Sequence, residues 1–126
     1  MNSKDNKHIK RGEAVRDLPD VFIRELKAKG HLGFFLRKSN FSLLIKAENI
    51  LIPLKISNGE IKKASHTSHF DVEISGSEEA VLSLITGEVK LRDAISQNKI
   101  IMEANFRKKL LIESFFCLGK ISPFIT

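Results

Sequence analysis

The sequence predicts a single α+β domain, with a mostly antiparallel sheet covered on one face by helices. Three observations predict it. Apolar residues alternate with polar ones between Phe41 and Ile74, and from Val81 to Ile95 they recur instead every three or four residues. A strand-like run at 100–104 then leads into the most apolar helical pattern of the chain, 106–118.

At 126 residues the chain is long enough to bury a core without staples. A hydrophobic content of 42% with 29% charged residues is that of a globular protein and excludes a disordered one. The aromatic residues are all Phe, nine of them, which offer apolar lining without a polar handle. Cys117 has no disulfide partner in the chain and sits among apolar neighbours, so it is expected to be a small buried hydrophobe in a reducing, cytoplasmic setting. The net charge of +6 admits nucleic acid, an anionic surface or plain solubility. Residues 1–12 hold Lys4, Lys7, Lys10 and Arg11 without an apolar segment and read as a disordered basic tail, leaving 13–126 as the domain.

The elements follow in order. A first helix is expected to begin near Glu13 or just after Pro19, with Phe22 and Leu26 one turn apart and Gly30 as its stop. Leu32, Phe34, Phe35 and Leu36 fit a helical turn or an extended run, and 31–40 stays unassigned. Phe41, Leu43 and Ile45 share one face of a strand, and Ile50, Ile52, Leu54 and Ile56 share one face of the next. Pro53 cannot donate to a ladder, which marks that second strand as an edge or as bulged. Asn58-Gly59 predicts a hairpin into a third strand at 61–64, and Phe70, Val72 and Ile74 form a fourth, giving an antiparallel meander. Ser75 with Glu78 has capping-box spacing, Ser77 is a rival N-cap, and Gly87 ends the helix that carries Val81, Leu84 and Ile85. Leu91, Ala94 and Ile95 make a shorter helix that stops at Asn98; Ile100, Met102 and Ala104 make a strand, and Asn105 caps the last helix, which is apolar enough to be mostly enclosed.

Catalytic and metal chemistry finds little support. His66 and His69 precede Asp71 and Glu73, but two loop histidines and two carboxylates on an alternating strand do not converge as a zinc site requires. No Gly-x-Ser-x-Gly elbow, Cys-His arrangement or glycine-rich phosphate loop is present, so neither an enzyme nor a cofactor is expected.

The run ITGEVKLRDAISQNKIIMEAN, with Gly87, Ala94, Gln97, Lys99, Ile100 and Met102, resembles the sterol carrier protein-2 family. In that family a helix ending near a glycine is followed by an Ala-Phe-x-x-Gly-Lys-Leu-x-Ile-x-Gly-Asp/Asn run. Thr86 and Gly87 match the helix end, Ala94 and Ile95 open the run, and Lys99, Ile100, Met102 and Asn105 match the rest. The resemblance spans roughly 41–118 and implies a five-stranded sheet with helices enclosing an apolar tunnel for a lipid. Asn98 stands where the family has glycine and tolerates the left-handed conformation. Ala104 replaces a second glycine. Arg107, Lys108 and Lys109 replace residues that are usually small or apolar at the tunnel mouth. The spacing from Phe41 through Asn58-Gly59 to Asp71-Val72 is similar to the accessory lipid carriers of ubiquinone biosynthesis, which implies an isoprenoid quinone intermediate as cargo, with a fatty acid or sterol-like lipid as the other ligands.

The apolar supply around the last helix fits such a cavity. The expected wall is Leu84, Ile85, Ile95, Met102, Phe106, Leu110, Leu111 and Phe115, and the expected rim is Arg107, Lys108 and Lys109, placed to meet an anionic membrane. The alternative class is an interaction module without lipid, docking a protein partner or a second copy of itself. A nucleic-acid binder is not expected, because no stacking motif or long basic helix occurs.

Overall fold

The computed structural model describes residues 11–65 and 69–121, the side chains of 11–17 and 106 excepted. Along the chain lie α1 (Arg11–Lys27), α2 (Gly30–Phe35), β1 (Asn40–Ala47), β2 (Ile50–Ser57), β3 (Glu60–Lys63), β4 (Val72–Gly76), α3 (Glu78–Thr86), α4 (Leu91–Ser96), β5 (Ile100–Glu103) and α5 (Phe106–Gly119). The strands form one sheet in the order β3-β2-β1-β4-β5. Its core face carries Phe41, Leu43, Ile45, Ile52, Leu54, Ile56, Ile61, Val72, Ile74 and Ile100, all buried. The opposite face carries Lys46, Lys55, Lys62 and Glu103, which are exposed. α1 covers β2 and β3, α3 covers β1 and β4, α4 packs on β5, and α5 closes over α2, α3 and α4.

The sheet is mixed, which corrects the meander. β4 runs parallel to β1, Leu43 opposite Val72 and Ile45 opposite Ile74, while the other pairings are antiparallel. The link from β3 to β4 is longer than a hairpin connection, so the chain returns to the free edge of β1 instead of adding beside β3. Asp71 fixes the register at that edge: Ser42 N donates to Asp71 Oδ2 at 2.9 Å and Asp71 N donates to Ser42 Oγ at 3.0 Å.

Pro53 also behaves differently from expectation. β2 is an inner strand with an unbroken register against β1. The Pro53 carbonyl accepts from Ala64 N at 2.9 Å, so its nitrogen points toward the side of β3, where that four-residue strand has already ended. The missing donor therefore costs no ladder bond.

At the first helix the expected boundaries shift. α1 opens at Arg11 and runs through Pro19 to Lys27. An internal proline costs about 3 kcal/mol, but Leu18, Phe22 and Leu26 form a stripe spaced by four, each almost fully buried. Burial of side chains that size contributes about 1.5–3 kcal/mol apiece, enough to carry the helix through. Gly30 opens α2 rather than ending α1, and α2 resolves the unassigned segment.

Several local readings stand as expected. Asn58 (φ 49°) and Gly59 (φ 89°) form the left-handed pair of a tight hairpin. Gly87 (φ 84°) ends α3, with Glu88 N donating to Ser83 O at 2.9 Å. Asn98 (φ 59°) ends α4 in the same way, with Lys99 N donating to Ala94 O at 2.9 Å. Ser77, not Ser75, caps α3: Ala80 N donates to Ser77 Oγ at 3.1 Å. Asn105 caps α5, accepting from Lys108 N at 2.8 Å.

Candidate functional site

The last helix is the centre of the candidate site. Its buried side is Ile112, Phe115 and Phe116, the two rings meeting edge to face at 5.2 Å. Gly119 lets it approach α1 and α2: a Cβ there would stand 2.7 Å from Leu26 Cδ2 and 3.3 Å from Leu32 Cδ2. Beyond its end, Ile121 N donates to Ile85 O at 2.9 Å and ties the chain to α3.

The helix is not mostly enclosed, contrary to its composition. Leu110 is 60% exposed, and Arg107, Lys109 and Cys117 face solvent. The reason is angular: the buried set 112, 115, 116 and 119 follows the helical period, and position 117 falls outside it. Cys117 is therefore an exposed thiol, not a core residue.

The expected wall residues divide into groups. Leu84, Ile85 and Phe115 are fully buried and packed in the core. Ile95, Met102 and Leu111 are half-buried against it, as is Ala104. Leu110 is exposed, and the Phe106 side chain lies outside the described residues. Of the rim, Lys108 is half-buried and its two neighbours are exposed. The α5 first turn holds no carboxylate, so these cations stand at the positive end of the helix dipole with none in that turn to offset them.

A cleft of 250 Å³ opens where α3, α4 and α5 meet. Leu84, Val89, Leu91 and Phe116 form its apolar floor, and Lys90, Arg92, Glu113 and Lys120 stand among its lining. Arg92 Nε lies 3.6 Å from a Glu113 carboxylate oxygen, a partly exposed pair that links α4 to α5 at little energetic gain. The cleft is close to the smallest pockets that hold organic ligands. Reading the sequence alone missed Val89 and Leu91 as lining; the signal was the short link after Gly87, where Val89 N donates to Ser83 O at 3.3 Å and stays against the end of α3.

For catalysis the described residues assemble little. His69 is exposed, and Asp71 is engaged by Ser42. His66 lies outside the described residues. Among the described residues no group of three metal-ligating side chains converges.

No protein-family model matches the sequence, and no curated protein matches it significantly. Solved structures do. Sterol carrier protein 2 from Yarrowia lipolytica, in its apo form, aligns with a TM-score of 0.60 at 16% identity, over 87% of this chain and 94% of that one. A UbiJ-SCP2 ubiquinone synthesis protein aligns at 0.64 and 10% identity, over 84% and 95%. The inverting sec-alkylsulfatase Pisa1 from Pseudomonas sp. aligns at 0.58 and 20% identity, over 86% of this chain but 17% of the enzyme. The mixed five-stranded sheet, its one-sided helical cover and these alignments agree: the chain has the sterol carrier protein 2 fold.

Proposed function

We propose that this chain is a non-enzymatic lipid-binding domain that carries an apolar ligand where α3, α4 and α5 meet. The observation that carries the reading is the cleft with an apolar lining, next to elements that leave apolar surface incompletely buried. Ile95 of α4, Met102 of β5 and Leu111 of α5 are half-buried, and Leu110 of α5 is exposed. Residues that served only as core would be closed off, as Leu84, Ile85 and Phe115 are. A lipid chain entering at the cleft would meet Leu84, Val89, Leu91 and Phe116, with Leu84 shared between the core and the cleft.

The similarity to a UbiJ-SCP2 ubiquinone synthesis protein supports an isoprenoid quinone intermediate as the cargo. A fatty acid or sterol-like lipid uses the same apolar surface. In this reading Arg107, Lys108 and Lys109 form the cationic rim of the entrance and stabilise an anionic headgroup. The test is displacement of a fluorescent acyl probe from the full chain. Binding with saturable displacement by a prenylated aromatic supports the quinone reading, displacement by fatty acid alone selects the acyl reading, and no probe binding overturns the carrier.

A further inference from the structure

The short helix α2 carries a surface that the cargo reading does not use. Leu32 and Leu36, one turn apart, are fully buried and anchor it. Gly33 lies against the β2–β3 hairpin, where a Cβ on Gly59 would stand 3.1 Å from the Gly33 carbonyl oxygen. A helix held at positions 32 and 36 must turn 34 and 35 outward. Phe34 is accordingly 66% exposed and Phe35 38%.

Along the chain, the charge flanking this pair is of one sign. No carboxylate occurs between Glu25 and Glu48, while Lys27, Lys29, Arg37 and Lys38 all fall in that stretch. Arg37 stacks over Phe34, its guanidinium carbon 4.0 Å from the ring centroid, and its Nη1 donates to the Phe34 carbonyl at 3.0 Å. The nearest hairpin carboxylate, Glu60, sits 3.4 Å from Lys62 Nζ. An adjacent pair of exposed rings framed by cations matches a surface that is anionic outside and apolar just beneath.

We propose that α2 docks this protein on an anionic lipid bilayer, with Phe34 and Phe35 entering the acyl boundary while Arg37 and Lys38 lie among the headgroups. The proposal does not depend on the cargo reading. It also places the contact at the opposite end of α5 from Arg107, Lys108 and Lys109, since Leu32 packs beside Gly119 and the helix is about 20 Å long at 1.5 Å per residue.

The chain contains no Trp or Tyr, so Phe34→Trp gives a single reporter at the proposed depth. With vesicles of phosphatidylcholine and phosphatidylglycerol its emission shifts to the blue; with pure phosphatidylcholine, or in high salt, the shift is lost. In co-sedimentation, Phe34→Ser with Phe35→Ser lowers binding to the anionic vesicles about tenfold or more, with unchanged circular dichroism. Arg107→Gln with Lys109→Gln leaves that binding in place. The proposal is overturned if the Trp emission ignores anionic vesicles, if it shifts equally on neutral ones, or if it responds to polynucleotide and not to vesicles. Loss of binding confined to the Arg107 and Lys109 variant overturns it as well.

Discussion

Gly119 decides how closely α5 approaches the helices beneath it. A methyl at that position meets Leu26 at 2.7 Å, and both helices there are held by buried side chains. Gly119→Ala is expected to destabilise the fold by about 1–3 kcal/mol, read as a lowered denaturant midpoint. Asn98 gives a sharper contrast. It occupies the left-handed region at φ 59°, so Asn98→Ala is expected to cost about 1–2 kcal/mol while Asn98→Gly is neutral or stabilising, measured by thermal unfolding. The sequence reveals this residue because its neighbours end one helix and start a strand. Cys117 was not legible in the same way: flanked by Phe116 and Leu118 it reads as core, and only the orientation of α5 turns it outward.

Among the elements, those built from local signals were legible and those set by distant pairing were not. The capped helices α3 and α5 and the Asn58-Gly59 hairpin follow from nearby residues. The parallel placement of β4 does not, since it depends on which strand edge is free when the chain returns. Asp71 records that choice after the fact. Asp71→Ala removes the acceptor for Ser42 N and is expected to cost about 1–3 kcal/mol, with hydrogen exchange accelerated at β4 before the rest of the sheet. Of the two starts expected for α1, the one near Glu13 lies close to the observed Arg11; the one after Pro19 fails because Leu18 is buried and completes the stripe with Phe22 and Leu26.

Over the whole molecule, apolar surface is spread unevenly. The sheet-facing core is closed, whereas Met102, Leu111 and the rings of α2 are not fully buried. Among the described residues no helix is long and apolar enough to cross a membrane. The fold was legible because its order of elements and its loop residues are locally encoded. The site was only half legible, because the same leucines and phenylalanines serve as core or as lining, depending on how far α5 stands from the sheet. Leu110 separates the two roles: Leu110→Ser is expected to change stability by no more than about 0.5 kcal/mol while weakening affinity for an apolar probe. The most direct measurement of the central claim is native mass spectrometry of the purified chain with identification of extracted lipid. The account predicts a stoichiometric lipid adduct, or its formation when isoprenoid or fatty-acyl ligands are supplied. A clean apo mass that takes up neither would contradict it.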